Sequence, residues 1–206
     1  MNRRFPALLL VTLLCQASVT FAQTANSNLW RNSYSLEASG RYGEAAQAIE
    51  PLLREAPTHE LALMRRAWLN YLQGRHTEAL RDYNQALFAN SSSIEARLGL
   101  TLPLLAQKRW SEAASEARKV IAVSAWNYTA HLRLLVAEEG EQRWDAMAQH
   151  AAQLVARYPS DATVHVYLAR AEAWRGNVTA ARTAYAKVLE RAPTNTEASQ
   201  YLNAKG

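Results

Sequence analysis

The sequence predicts an all-α protein, a solenoid of five helical hairpins that ends in a short capping helix. The first observation is a period of 34 residues, which sets five residues at the same turn position: Gly40, Gly74, Lys108, Gln142 and Gly176. The second is the stretch from Leu61 to Asn90, where apolar side chains recur at helical spacing on both sides of Gly74. Such a period is typical of arrays whose hairpins bury their apolar faces by stacking on their neighbours.

The period also divides the chain into units. We expect the five hairpins to occupy residues 27–59, 60–93, 94–127, 128–161 and 162–193. Residues 194–206 are shorter and polar, as suits a terminal cap that faces water. Pro51 predicts a kink or a strained turn in the second helix of the first hairpin, and Pro103 predicts a bend in the first helix of the third.

Residues 1–22 have the organisation of a secretory signal peptide. Two arginines precede an apolar run from Ala7 to Cys15, and Thr20 and Ala22 are small residues at the positions that a signal peptidase reads. We therefore expect cleavage after Ala22, a flexible segment at residues 23–26 and a periplasmic location. The apolar run is shorter than the roughly 20 residues that span a bilayer, so no transmembrane segment is expected after the signal is removed.

Cysteine usage and charge narrow the possible functions. Cys15 is the sole cysteine of the sequence, so the mature chain would have neither a disulfide nor a thiol nucleophile. A retained anchor or a lipoprotein at Cys15 is the alternative, although Leu14 stands where lipidation needs a small residue. Loss of the two signal arginines lowers the net charge from +5 to +3, and no basic block suggests nucleic-acid binding.

The hairpins share an order of residues that is most complete in the second unit: Arg66-Ala67, Gly74, Glu78-Ala79-Leu80 and Asp82-Tyr83-Asn84-Gln85-Ala86-Leu87. A small residue recurs where the two helices cross, as Ala45, Ala79, Ala113 and Ala181, while Met147 departs. A proline ends the first, fourth and fifth units, as Pro57, Pro159 and Pro193. Over residues 27–193 this pattern resembles the tetratricopeptide repeat (TPR) family. The resemblance implies a right-handed α-solenoid whose first helices line a concave groove for an extended peptide or a helix of a partner.

The resemblance also implies which first-helix residues face that groove. They are Trp30, Tyr34, Met64, Arg65, Trp68, Tyr71, Leu98, Leu102, Leu105, Leu132, Arg133, Val136, Tyr167, Arg170 and Trp174. Aromatic residues and arginine are enriched in interface hot spots, which favours a binding surface, although the same residues could simply be core.

The arginines of this set have two interpretations. One TPR subtype grips a C-terminal carboxylate with lysine and asparagine, but the corresponding positions here include Trp30, Tyr34, Arg65 and Gly99, so that clamp is not expected. Arg65, Arg133 and Arg170 could still hold carboxylates or phosphates through bidentate hydrogen bonds, or could be solvated.

No catalytic, cofactor or metal site is expected from the motifs of the chain. His131 and His165 are 34 residues apart and could approach each other, but no cysteine or acid completes a tetrahedral metal site, so packed histidines are the simpler interpretation. Glu138, Glu139 and Glu141 lie near a hairpin end, where solvated acids are expected rather than glycosidase chemistry.

We therefore expect a non-enzymatic protein-interaction scaffold of the bacterial cell envelope that holds a segment of a partner protein in its groove, within an assembly or export machine. Self-assembly into a homo-oligomer is one alternative. Binding of a polysaccharide along the aromatic residues is another.

Overall fold

The computed structural model describes residues 26–204, and all regular secondary structure in that range is α-helical. Helix α1 covers residues 26–38. It is followed by α2 Tyr42–Gln47, α3 Glu50–Glu55, α4 Glu60–Leu72, α5 His76–Ala89, α6 Ile94–Ala106, α7 Trp110–Val123, α8 Tyr128–Gly140, α9 Trp144–Arg157, α10 Ala162–Trp174, α11 Val178–Arg191 and α12 Thr196–Asn203. The predicted signal peptide, residues 23–25 and residues 205–206 lie outside the described range.

The chain forms two compact units that meet in sequence between Gly99 and Leu100, within α6. In each unit, consecutive helices joined by short turns form hairpins. The predicted all-α fold of successive helical hairpins, with a short helix at the C-terminal end, is confirmed. No helix within residues 26–204 combines the length and the apolar character needed to cross a membrane.

A left-handed backbone conformation closes the hairpins. Positive φ angles occur at all five predicted turn positions: Gly40 (73°), Gly74 (73°), Lys108 (58°), Gln142 (57°) and Gly176 (78°). The next residue donates its N–H to a carbonyl five positions earlier, as in the 2.9 Å bond from Arg75 N to Asn70 O. This is the bonding of a Schellman motif, which satisfies carbonyl groups at the helix end. The period in the sequence therefore reports a backbone requirement.

Polar side chains cap the first helices of the later hairpins. Asn127 Oδ1 accepts from Ala130 N at 3.0 Å, and Asn195 Oδ1 accepts from Ala198 N at 2.8 Å. Ser93 Oγ accepts from Ala96 N at 3.2 Å and caps α6 in the same way.

The core of the first unit is built on small residues at helix crossings. Ala45 and Ala79 are fully buried, which allows neighbouring helices to approach closely. Ile49, Leu52 and Leu63 fill the adjoining space. Pro51 does produce the predicted interruption, since the expected second helix is split into α2 and α3 and Pro51 lies in the first turn of α3.

The second unit has one larger residue at an equivalent helix crossing, while Ala113 and Ala181 keep the small residue. Met147 stands where the repeat pattern has alanine, yet it is fully buried in a cluster with Leu135 and Leu154. Its flexible side chain can fill an irregular gap.

Pro103 lies inside α6, which continues as one helix from Ile94 to Ala106.

A buried charge network joins α4 and α5. Asp82 is fully buried and accepts from Arg66 Nε at 2.7 Å and from Arg66 Nη2 at 2.9 Å. Arg66 Nη1 also donates to Glu50 at 2.9 Å. The bonds to Asp82 are the main reason why the pKa of Arg66 lies above its ordinary value.

Replacement of Gly74 by alanine should lower the free energy of unfolding by about 1–2 kcal/mol, because the left-handed backbone opposes a Cβ. There is open space around that Cβ, so no clash contributes. Gln142→Gly should have the opposite effect, by about 1 kcal/mol, because it relieves the same strain. Urea denaturation followed by circular dichroism measures both; equal midpoints for the three proteins would contradict the prediction.

Replacement of Asp82 by alanine should lower the free energy of unfolding by about 3 kcal/mol, which is the low end of the range for a broken buried ion pair. The low end applies because Arg66 would still be paired with Glu50. The same denaturation experiment measures it. Glu112→Ala is the matched control, because it removes an exposed ion pair with Arg109 on a single helix and should leave the midpoint unchanged. A similar decrease in the free energy of unfolding in both variants would contradict the prediction that the buried pair stabilises the fold more than the exposed one.

Candidate functional site

The first unit contains a cavity of about 500 Å³, which we call the aromatic cavity. Its size lies in the range typical of ligand-binding pockets. It is lined by Trp30, Tyr34, Leu61, Met64, Arg65, Trp68, Tyr83 and Glu95. The structure thus brings together five residues that were predicted to face the groove: Trp30, Tyr34, Met64, Arg65 and Trp68.

Glu37 organises the polar side of this cavity. Its carboxylate accepts a hydrogen bond from Trp68 Nε1 at 2.6 Å and a short one from Arg65 Nη1. Burial by itself would raise the pKa of Glu37, but the hydrogen bonds from Trp68 and Arg65 outweigh that effect and hold the pKa below its ordinary value. Glu37 is therefore a carboxylate that fixes the Trp68 ring and Arg65.

The guanidinium of Arg65 is buried, with only 7% of the residue exposed. Its Nε donates to Ser33 Oγ at 3.0 Å, and Ser33 Oγ donates to Ala45 O at 2.9 Å. The Tyr34 ring lies over the guanidinium, with 3.9 Å between Arg65 Cζ and the ring centroid. Arg65 Nη2 is buried without a hydrogen-bond partner among the described residues. Since an unsatisfied buried donor costs about 1–3 kcal/mol, this N–H group favours an acceptor from a ligand.

Aromatic packing supports the walls of the cavity. Trp68 stacks on Tyr71, with ring centroids 5.7 Å apart. Tyr83 is buried, and its ring packs directly on Gly99. A Cβ added to Gly99 would lie 2.2 Å from Tyr83 Cε1, which is too close for two carbon atoms. Gly99 is therefore the residue that lets Tyr83 reach this position. On the rim, Leu61 is 59% exposed.

The second unit does not present its predicted groove residues in the same way. Leu132 and Tyr167 are half-buried and pack against the cluster around Leu135. Trp174 stacks on Trp144 with a centroid distance of 5.2 Å and an interplanar angle of 9°, at the turn end of its helix. Of the remaining predicted residues, these are half-buried: Leu98, Leu102, Leu105, Arg133 and Val136.

Two of the three predicted ligand-binding arginines are already paired inside the protein. Arg65 is bound to Glu37, as described. Arg170 donates to Glu197 at 2.8 and 2.6 Å and to Glu139 at 3.3 Å. The bonds to Glu197 are the largest cause that raises the pKa of Arg170 and lowers that of Glu197. Arg170 therefore ties α12 to α10, and these internal contacts occupy the guanidinium that sequence reasoning left open between a partner's carboxylate and solvent.

The structure adds functional residues that sequence reasoning missed. Glu37 and Ser33 position Arg65, while Leu61, Tyr83 and Glu95 complete the cavity. The spacing of Ser33 and Glu37 on α1 places them on one helix face, which was an available signal. Nothing in the sequence indicated that Tyr83, a second-helix residue, would reach past Gly99 to the cavity.

His131 and His165 are both buried and hydrogen-bonded, as the simpler interpretation predicted, and their recorded partners are other residues. His131 Nδ1 instead lies 2.9 Å from His150 Nε2, and His165 Nε2 lies 3.1 Å from Pro159 O. No group of three or more histidines, cysteines or acids within residues 26–204 has a geometry that could hold a metal ion.

Comparison with known proteins places the fold. The "Tetratricopeptide repeat" family model matches residues 32–94 and 140–196. The solved structure of MamA 41-end from Desulfovibrio magneticus RS-1 is 18% identical, covers 82% of this chain and 96% of its own, and has a TM-score of 0.74. PilW, described as a widely conserved type IV pilus biogenesis factor, is 19% identical over 87% of this chain and 86% of its own, with a TM-score of 0.73.

A third similar structure is YrrB, described as a TPR protein with an unusual peptide-binding site. It is 14% identical over 87% of this chain and 96% of its own, with a TM-score of 0.72. A comparison with curated protein sequences finds no match. At these identities the solved structures show a shared fold, while the family model matches more than half of the sequence. The chain therefore belongs to the tetratricopeptide repeat family, as the order of its residues predicted.

Proposed function

We propose that this protein is a non-enzymatic scaffold of the bacterial cell envelope that captures a segment of a partner protein in the aromatic cavity. The family supports the coarse part of this proposal, because TPR proteins generally act as interaction scaffolds. The observation that carries the finer part is the buried Arg65 Nη2 donor, unpaired among the described residues, in an apolar cavity.

The chemistry of the cavity describes the segment that would fit. Its walls are the rings of Trp30, Trp68 and Tyr83 with Met64, which suit one large apolar side chain. Tyr34 is 56% exposed and covers Arg65 from the solvent side. A displacement of its ring would open Nη2 to a main-chain carbonyl beside the inserted side chain.

The charges that line the cavity indicate which residue of the partner segment would lie beside the inserted apolar side chain. Arg65 is neutralised by Glu37, so the carboxylate of Glu95, on the cavity lining, is the remaining charge. A lysine or arginine next to the inserted apolar side chain would complement it. We therefore propose an apolar residue flanked by a basic one as the recognised feature.

The same chemistry disfavours the polysaccharide alternative. A sugar ring presents several hydroxyl groups, and each one that is buried without a partner costs free energy. The lining of the aromatic cavity is mostly aromatic and aliphatic, with few polar groups near Arg65. A peptide can satisfy Arg65 with one carbonyl and place its apolar side chain against the rings.

Similar structures are compatible with this proposal. YrrB is described as having a peptide-binding site, and PilW is described as a pilus biogenesis factor. Together with the predicted signal peptide of residues 1–22, they support a role for this chain in an envelope assembly or export machine.

A photo-crosslinking amino acid at Leu61 should trap the partner in the source organism, whereas the same probe at Phe88 should not. Phe88 is the matched control because it is 89% exposed but does not line the cavity. Arg65→Met in the Leu61-probe protein should reduce the adduct at least tenfold, because the loss of one buried hydrogen bond to a charged donor is worth about 1.5–3 kcal/mol. Mass spectrometry identifies the adduct.

Three outcomes of that experiment are decisive. An adduct with a second copy of this chain would favour self-assembly, and an adduct with a glycan would favour the polysaccharide alternative. Equal trapping from positions 61 and 88 would remove the aromatic cavity as the binding site.

The full-length chain should be exported and processed in a Gram-negative host, so that the mature protein begins at Gln23. Cell fractionation and amino-terminal sequencing measure this. Ala22→Asp should block cleavage, because the peptidase requires a small neutral residue at that position. A protein that remains in the cytoplasmic fraction with residues 1–22 attached would contradict the proposed location.

A further inference from the structure

A continuous chain of hydrogen bonds crosses the second unit from a main-chain carbonyl to a carboxylate. His131 Nε2 lies 3.0 Å from Ala125 O, and His131 Nδ1 lies 2.9 Å from His150 Nε2. His150 Nδ1 lies 3.0 Å from Glu138 Oε2. His131 and Glu138 are on α8 and His150 is on α9, so this chain joins the two helices of one hairpin.

The chemistry of each contact fixes where the protons are. A carbonyl oxygen only accepts, so His131 Nε2 must carry a proton. An ionised Glu138 also only accepts, so His150 Nδ1 must carry one as well. If both rings were neutral, His131 Nδ1 and His150 Nε2 would be bare nitrogens with facing lone pairs at 2.9 Å. One additional proton between them turns this repulsion into a hydrogen bond.

The count of protons does not depend on which group carries the extra one. If Glu138 were protonated, it would donate to His150 Nδ1, and His150 Nε2 would donate to His131. The three groups again hold one proton more than an ionised acid with two neutral rings. Arg118 Nη2 lies 3.8 Å from Glu138 Oε1 and places a positive charge beside this group. An imidazolium at His150 would contact the Glu138 carboxylate, whereas His131 has only the neutral carbonyl of Ala125 on its other side, so we place the extra proton on His150.

We propose that His131, His150 and Glu138 form a buried proton-binding site that holds one proton between the two imidazoles near neutral pH, and that this proton locks α8 to α9. His131 and Glu138 are buried and the His150 side chain is nearly so. In this low-dielectric setting a charged hydrogen bond is strong, and its loss leaves unpaired polar groups.

The charged, titratable and aromatic groups that surround the three residues come from α7, α9, α10 and the turn before α8. Arg118 reaches the site from α7, on the side of Glu138. Trp126 lies against the His131 ring at 5.8 Å, and Arg157 of α9 lies 5.6 Å from the Trp126 ring. On α10, His165 is directed at Pro159 O.

The sign of the pH dependence follows from proton linkage. In the unfolded chain, histidine loses its proton near an ordinary pKa of about 6.5. The native site keeps its proton to higher pH, so the stabilisation is fully present below about pH 6.5 and is lost as pH rises through the alkaline range. A separate effect acts at lower pH: the unfolded chain takes up a proton on each histidine below about pH 6.5, whereas the lowered pKa of His131 disfavours a second proton in the native site, so this effect reduces stability as the pH falls further.

The test compares the pH dependence of unfolding in the wild-type chain, in His150→Gln and in His165→Gln. Between pH 6.5 and the pH at which the site loses its proton, the wild-type unfolding equilibrium constant should rise about tenfold per pH unit relative to that of His150→Gln. His165→Gln is the matched control. His165 lies one repeat after His131 and, like it, contacts a main-chain carbonyl. The residue one repeat after His150 is Ala184, so His165 has no imidazole partner at that position. Its pH dependence in this range should match that of the wild type.

A second measurement needs no variant. Long-range ¹H–¹⁵N spectra of the wild-type chain at pH 7 should show that His150 is an imidazolium with two N–H groups and that His131 is a neutral ring protonated at Nε2. Two neutral rings at pH 7, or an unchanged pH dependence in His150→Gln, would overturn the proposal.

Discussion

Each hairpin in the described part of the chain depends on one residue in the left-handed backbone conformation between its two helices. This residue reverses the chain within a few positions, so the two helices pack side by side from their first turn. Close packing then requires small residues at the crossing, which explains the full burial of Ala45 and Ala79. Lys108 and Gln142 accept the same conformation without being glycine, which shows that the reversal matters more than the strain at one residue.

Ion pairs that are buried or partly buried provide the second level of specificity. Arginine residues bridge helices that are distant in sequence: Arg65 reaches Glu37, Arg66 reaches Asp82, and Arg170 reaches Glu197. Such pairs stabilise weakly in net terms but strongly penalise arrangements that leave a charge unpaired. They therefore hold a repetitive stack in one register. The aromatic cavity is one place where this pairing is incomplete, because Arg65 Nη2 is buried without a partner among the described residues; Arg133 Nε is another such donor.

The candidate site was predictable in its residue types but not in its polar contacts. Met64 and Trp68 share a helix face by their spacing, and the resemblance to the TPR family implied that Trp30 lies on the same surface. The sequence could not show that Glu37 would neutralise Arg65, or that Arg170 would be bound to Glu197 of α12. Contacts between side chains of different repeats depend on rotamers and on the distance between helices, which a period does not encode. The same reason explains why His131 meets His150 rather than His165.

The sequence by itself determined the helices, the turns and the family, because all three depend on local backbone preferences and on burial patterns that recur every 34 residues. The tertiary structure decided which buried polar atoms find partners. A hydrogen bond needs its donor and acceptor about 3 Å apart, and in these contacts the two atoms belong to chain segments that are far apart in sequence. The tertiary structure thus separates Arg170, which donates to both Glu197 and Glu139, from Arg65, which keeps a buried Nη2 without a partner among the described residues. It also creates the contact between His131 and His150, where the distance of 2.9 Å between two nitrogens requires a proton.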